Sequence, residues 1–488
     1  MGAMQNNNHG ETDRRESAAI GRRQFLAGGI AATATIMATG MADAAGRVRK
    51  VPKKKPNPAP PEANKPVPEA NKPAPEANKP ASEAKPPDKL ISSAPVLQNA
   101  AARSMGVAFS VTADASGWVE YSVSRKMTDA KRVYSGGAGL MTVDDKIAHI
   151  RLRGLSPATR YYYRIGADRI EYRGGYRMKN LGPEMDAKVH SFTTLGAQAS
   201  GSFCVINDTH ENAQTLDAAF RKLAELKPAV VIWNGDASNT SENFEAAWKV
   251  FIRPHVDHPE YASDTPFMFV RGNHDFRGRF NRTLERVVMT RDPEERLPEY
   301  SELGRNFVQR LGDIALIGLD TGEDKLDTNP RFAGIFRMKE YRELQTKWLA
   351  HAIASPAVTT ARYKVAFCHI PLFDSSRDAN PGDLMPADVA EGFKKDYAAW
   401  QRTCAGLWGP HLAKAGVKLL ITGHQHKYRR DSPGNGHPWI QLVGGGPNVD
   451  PEHAENFATI IEGRLESGML AVRVHDLANG RVVDSFTV

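Results

Sequence analysis

Cysteine is scarce: the chain has three in 488 residues, at Cys204, Cys368 and Cys404. That excludes a scaffold built on disulfides. In an exported chain an odd count allows one bridge and one free thiol. Cys204 and Cys368 lie inside apolar runs, however, and read as buried small hydrophobes. Long apolar runs are also missing. The uncharged stretch Leu26–Met41 is short and rich in Ala, Gly and Thr, so no transmembrane span is expected in the mature form. The body lacks charge of one sign. Of the net +8, residues 1–88 hold +5, with 14 Lys or Arg against 9 Asp or Glu, and the other 400 residues hold +3. With no aromatic-basic stripe, that balance excludes a nucleic-acid-binding surface.

The basic leader has its own logic. Arg22-Arg23-Gln24-Phe25-Leu26 precedes the uncharged stretch, and Ala42-Asp43-Ala44 offers a small-x-small cleavage site. This layout resembles a bacterial twin-arginine (Tat) signal peptide over residues 1–45. It implies the Tat translocon as a partner during export and a periplasmic or cell-surface location. An uncleaved anchor is the alternative. Residues 46–89 form a Pro-rich linker with a seven-residue repeat that starts at Pro61, Pro68 and Pro75. Proline in every repeat forbids a helix, and nothing there can build a core. The expectation is a disordered, extended spacer of polyproline II character.

Residues 90–197 change character. Val107, Phe109 and Val111 alternate with small or polar residues, as do Val119, Tyr121 and Val123. Such period-2 runs between Gly, Asp and Ser turns predict a small β-sandwich. The string Leu155–Ile165 contains Tyr161 and Tyr163 and resembles the end of a fibronectin type III domain. Both tyrosines are expected in the core or at a corner.

From residue 198 to 488, short apolar runs alternate with helical stretches. Five of the runs, Phe203–Ile206, Ala229–Trp233, Pro266–Val270, Lys364–Cys368 and Val417–Ile421, end on potential metal ligands. They lead into N-D-T-H, N-G-D, R-G-N-H-D, H-I-P and T-G-H-Q-H. Runs of this kind read as buried strands of an α/β domain, and such domains bind ligands beyond the carboxyl ends of their strands. Asp208, His210, Asp236, Asn273, His369, His424 and His426 would then meet there. Seven hard oxygen and nitrogen donors from five segments argue for one dinuclear metal site. Leu216, Ala219, Phe220, Leu223 and Leu226 recur at helical spacing and predict a core-facing helix. Gly235 and Gly272 are expected to let the chain turn tightly before Asp236 and Asn273. His255 and His258 flank Asp257 in what reads as a surface loop, and Gly444–Gly446 read as a turn. His437 is a loop residue.

The five blocks occur in the order of the calcineurin-like metallophosphoesterases, which include the purple acid phosphatases. The resemblance implies a multidomain chain: a fibronectin III-like all-β sandwich followed by a four-layer α/β/β/α domain. One metal would take Asp208, His210, His426 and Asp236. The other would take Asn273, His369 and His424 and share Asp236. In purple acid phosphatases a tyrosine three residues after the bridging Asp binds ferric iron. Asn239 stands there in this chain, so a colourless centre is expected, with two ions drawn from Fe, Mn or Zn. The implied chemistry is hydrolysis of a small-molecule phosphate ester by metal-activated water. His274 would contact the phosphate or protonate the leaving group, and Asp275 could orient it. Asn239, Arg271 and Arg277 are the candidate substrate-binding residues; Arg279 lies beside them. A phosphomonoesterase is the favoured reading. The rivals are a phosphodiesterase for nucleotides or lipid head groups, and a tethered non-catalytic binding protein. The pocket walls are expected from residues 253–265, 276–312 and 320–345.

Overall fold

The computed structural model describes residues 89–252, 258–292, 295–373, 387–434, 436–450 and 456–488. The predicted leader, the linker up to residue 88, His255 and Asp257 lie outside the described residues. Among the described residues no helix is long and apolar enough to cross a membrane.

The five apolar runs all form strands. They are β1 (Ser202–Ile206), β2 (Val230–Asn234), β3 (Phe267–Val270), β4 (Tyr363–Cys368) and β5 (Leu419–Thr422). They belong to two different sheets. β1, β2 and β3 run parallel at the centre of a nine-stranded sheet. β4 and β5 run parallel in a six-stranded sheet. The two sheets face each other. Val205, Ile232 and Met268 of one share a continuous core with Val365, Phe367 and Ile421 of the other.

Alternate residues of the same strands point the other way, as strand geometry requires. Cys204, Val231, Trp233 and Phe269 pack on helices α1 (Ala213–Leu226) and α2 (Phe244–Phe251). Ala366, Cys368 and Leu420 pack on α3 (Met338–Ala352) and α4 (Ala387–Ala415). The result is helix, sheet, sheet, helix. The predicted stripe sits on α1, where Leu216, Ala219, Phe220 and Leu223 are buried. Asn212 starts that helix by accepting from the backbone N–H groups of Gln214 and Thr215. All three cysteines are buried and unpaired.

The N-terminal region is β-rich. Strands Ala115–Ser122, Lys131–Tyr134, Arg160–Tyr172, Met178–Met185 and His190–Thr193 make a five-stranded sheet. The three strands that face it, Val96–Gln98, Met105–Ser110 and Ile147–Leu152, do not close a separate body. Val96–Gln98 pairs parallel with β3 at Gln98–Phe267, so these strands extend the nine-stranded sheet. A free edge would expose unpaired backbone groups, and docking on β3 covers it. The Gln98 side chain adds to the junction. It donates to the Val287 carbonyl at 3.1 Å and accepts from the Met289 N–H at 2.8 Å. Tyr163 is buried and donates to the Ser263 carbonyl at 2.6 Å; Tyr161 accepts from the Ser156 N–H at 2.9 Å.

Candidate metal centre

The structure brings all seven predicted ligands together, just beyond the carboxyl ends of β1 to β5. Donor atoms of Asp208, His210, Asp236 and His426 lie within 4.8 Å of one another, and so do those of Asp236, His369 and His424. Asn273 joins the second set, with its Oδ1 at 2.9 Å from His424 Nδ1. Asp236 belongs to both.

The backbone is bent to achieve this. Asp208, His210, Asp236, His424 and His426 all have positive φ, between 46° and 73°. Non-glycine residues adopt that left-handed region at a cost, and such strain gathers at functional sites. A left-handed residue directly after a strand turns its side chain back over the strand end. Residues two apart on an extended chain share a face, but these left-handed turns, not that alternation, bring Asp208 to His210 and His424 to His426.

The glycines in the motifs serve chiefly to make room. Gly235 has φ +86°, as a tight turn requires, but Gly272 does not adopt a left-handed conformation. A Cβ at Gly272 would collide with the Asp236 carboxylate and the His369 ring. One at Gly423 would strike Asp208, and one at Gly446 would strike His426. The Gly444–Gly446 segment after strand Ile440–Val443 is thus a close cover over Asn207 and His426.

Neighbouring groups orient each donor. Asn207 Nδ2 and the His424 N–H both donate to Asp208 Oδ2, at 2.6 and 2.8 Å. Asp208 Oδ1 is left buried without a hydrogen-bond partner. His369 Nδ1 lies 2.9 Å from the Asn234 carbonyl, and its buried Nε2 lies 3.1 Å from Asp236 Oδ2. Asn234 also spans the two sheets, donating to the carbonyls of Cys368 and Ile421. His210 Nδ1 is held by Asn239 Oδ1 at 2.9 Å, and its Nε2 faces His426 Nε2 at 2.9 Å.

Two imidazole lone pairs cannot face each other at that distance without a cation or proton between them. Buried polar atoms without partners are costly. The donor set therefore fits metal cations, and orientation through the far nitrogen of each His is the usual supporting arrangement. The electrostatics agree. Burial opposes charge on His369, yet the Asp236 and Asp208 carboxylates outweigh it and hold its pKa up to about 10 in the metal-free protein. Burial also opposes charge on Asp208, and His369 and His426 pull its pKa down to about 2. A proton is being held where positive charge is wanted.

Other predicted residues have different partners. Asp275 does not reach the ring of His274. It accepts from the Gly272 N–H at 2.9 Å and from the Ser238 N–H at 3.3 Å, tying together the loops after β2 and β3. Burial and the Asp236 charge raise the Asp275 pKa to about 7. The His274 ring is placed by the Asn239 carbonyl at Nδ1 and by Arg277 at Nε2, both at 3.0 Å. Burial lowers its pKa to about 4, so the ring is neutral at pH 7. Asn239 uses its side chain on His210: Oδ1 on the ring and Nδ2 on the backbone carbonyl.

Arg271 points at buried Asp320, 2.5 Å away, and lies over the Phe276 ring. Arg277 forms a two-pronged pair with Glu323 at 3.1 and 3.2 Å. The Arg279 N–H donates to Glu242. His437 bonds the Trp439 carbonyl and packs on Phe373, and His258 bonds Asp217; neither belongs to the seven-donor cluster.

Some neighbours escaped the sequence. Asp324 Oδ2 lies 3.8 Å from His424 Nε2, and its Oδ1 is 2.5 Å from Lys325 Nζ. Tyr397 stacks on the His424 ring at 5.2 Å. No motif marks these positions. For Asp324 the signal was a run of charged residues, Glu323-Asp324-Lys325, inside the 320–345 segment expected to wall the pocket, where a solvated loop is the usual outcome.

Residues 201–428 match the family model of the calcineurin-like phosphoesterases. Among solved structures, the chain is similar to purple acid phosphatase PPD1 from yellow lupin (Lupinus luteus) seeds. Identity is 17% and the TM-score 0.54, over 80% of this chain and 73% of that one. It also aligns with GAP50, the anchor in the inner membrane complex of Plasmodium, at 15% identity and TM-score 0.40, over 60% of this chain and 89% of that one. At such identity the lupin likeness shows the fold alone. No curated protein matches the sequence significantly. The chain carries a calcineurin-like phosphoesterase domain over residues 201–428, and with it the chemistry of a hydrolase of phosphoric esters.

Proposed function

We propose that this protein is an exported phosphoesterase that hydrolyses phosphomonoesters at a dinuclear metal centre, using a fibronectin III-like region as its N-terminal support. The observation that carries this reading is the convergence of seven donors on two clusters that share Asp236, with the Nε2 atoms of His210 and His426 facing each other at 2.9 Å. Asp208, His210, Asp236 and His426 would hold one ion; Asp236, Asn273, His369 and His424 would hold the other. Bound there, ions of Fe, Mn or Zn would supply Lewis-acid activation of water and charge for the phosphoryl group.

The remaining work falls to the chain. Asn207, Asn234 and Asn239 keep the donor atoms aimed inward. His274, neutral and fixed between the Asn239 carbonyl and Arg277, lies beside His210 with ring centroids 4.8 Å apart. It sets the position of the Arg277 guanidinium at the rim. Export rests on the twin-arginine leader, and a colourless centre rests on Asn239.

A phosphodiester is the second reading. Arg271 and Arg277 are each paired with carboxylates, and a diester carries one charge less than a monoester dianion. The test compares p-nitrophenyl phosphate with bis-p-nitrophenyl phosphate, with Mn, Zn or Fe added in turn and Asn273→Ala as control. Metal-dependent monoester turnover, lost in the variant, is the expected result. A preference for the diester selects the second reading. No turnover of either, with metal bound, would sink both.

A further inference from the structure

Exposed apolar side chains are unevenly placed. Among the described residues fourteen large ones are exposed, and eight lie in or beside two hairpins of the N-terminal region. One hairpin joins Gly136–Gly137 to Leu140–Met141; the other joins Arg160–Tyr172 to Met178–Met185. Both leave the same end of the five-stranded sheet, where Ala115 pairs with Arg169 and bridges Asp144. Met178–Leu181 are all exposed, so both faces of the strand are wet there, while Gly182 and Glu184 further along are half-buried. Tyr176 at the turn is fully exposed, and Leu140, Met141, Tyr172, Met178 and Leu181 are exposed on the two hairpins. A projection with two wet faces cannot be completed by this protein's own core. Exposed apolar side chains gathered at one end of a sheet in this way mark an interaction site.

The second hairpin is basic although Glu171 pairs with Arg173 at 2.5 Å, and Asp144 and Asp145 follow the first hairpin. Residues 169–181 contain Arg169, Arg173, Arg177 and Lys179 against Glu171 alone, a net +3. Residues 136–143 are uncharged. The nearby acid Glu184 is turned inward, accepting from the N–H groups of Leu90 and Ile91 at 2.8 and 2.9 Å. We propose that these two hairpins dock the protein on an anionic lipid bilayer. Tyr and Met suit the headgroup boundary, where a ring can be half apolar and half wet. Arg and Lys lay their methylenes along apolar surface and present their charge to lipid phosphates. The shape favours a bilayer over a protein partner. A bilayer surrounds a projecting hairpin on both faces, whereas a protein surface covers one.

The test uses the full chain carrying Tyr176→Cys, labelled with an environment-sensitive fluorophore; the three native cysteines are buried. A local probe is needed because residues 1–88 carry +5 and could bind vesicles by themselves. Vesicles of phosphatidylcholine containing about a third phosphatidylglycerol should raise and blue-shift the emission several-fold. Pure phosphatidylcholine should do so far less. A label at the exposed Val482 should not respond. Adding Arg173→Ala, Arg177→Ala and Lys179→Ala should weaken the response at residue 176 about a hundredfold in lipid concentration, roughly fivefold per charge. The proposal is overturned if residue 176 is silent on anionic vesicles or responds equally on both compositions. It is also overturned if the emission shifts with protein concentration alone, which would make a second copy the partner.

Discussion

The two halves of the proposed metal centre are built differently. In the set of His369, His424 and Asn273 the His369 side chain is 0% exposed and His424 16%, and Asn234 holds His369 while bonding to both β4 and β5. In the set of Asp208, His210 and His426 the first two side chains are also buried, at 0% and 9% exposed, and the opening is at His426. The His426 side chain is 37% exposed, and His210 is held by Asn239, an exposed residue. Asp236 is the hinge between them. The inner set is therefore built into the core, whereas the outer set depends on a single surface side chain for one ligand's aim. The inner ion should resist chelation, and the outer ion should exchange.

Losing the shared ligand should have the largest effect. Asp236→Ala removes a donor from both sets and the acceptor of the His274 N–H. Metal content measured by elemental analysis should fall for both ions, and turnover should drop at least about a thousandfold. Two ions retained would show that Asp236 is not shared. Next, His369→Ala should cost the inner ion and leave the outer one. Calorimetric titration of the metal-free protein should then show one site in place of two; an unchanged two-site isotherm would refute the partition.

Gly272→Ala sharpens the role of space. Its Cβ meets the Asp236 carboxylate and the His369 ring, so about 1–3 kcal/mol of stability should go, measured by denaturant unfolding, together with affinity at both sites. A neutral result would mean the loop can yield. Asn239→Leu should be milder and one-sided. Outer-site affinity should fall about 10- to 100-fold, with the inner site unchanged. Equal loss at both sites would erase the contrast drawn above.

An effect on stability alone, with none on the metal site, should come from a part of the nine-stranded sheet that carries no ligands. Burial lowers the pKa of His149, in strand Ile147–Leu152, from the ordinary 6.5 to about 4. The unfolded chain takes up that proton first, so this contribution is complete above about pH 6.5. It is lost as the pH falls towards 4, by up to about 3 kcal/mol. His149→Gln should flatten that part of the pH–stability curve and leave metal binding untouched. An unaltered curve would remove His149 as the cause.

Much of the site was legible because its signals are local. A strand buried on both faces reads as an unbroken apolar run, and each of the five runs lies within a residue or two of a strand. The ligands follow directly in the chain, so Asp208, Asp236, Asn273, His369, His424 and His426 could be named from short motifs. Arg271 and Arg277 show where that reading stops. A loop arginine beside a metal motif looks like a phosphate clamp until Asp320 and Glu323 arrive 49 and 46 residues later in the chain. Asn239 likewise looked like a substrate contact because its partner, His210, lies 29 residues earlier.

By itself the sequence determined the parallel strands, the helix stripe on α1 and the identity of the donors, since each rests on hydrophobic period or on neighbours in the chain. The fold alone decided that β1 to β3 and β4 to β5 belong to facing sheets. A run buried on both faces carries no mark of which sheet will take it. The fold also decided the left-handed turns that aim the ligands, the joining of the N-terminal strands to β3, and the partners of every charged group around the centre. All of these depend on contacts between residues far apart in the chain, and no local pattern encodes them.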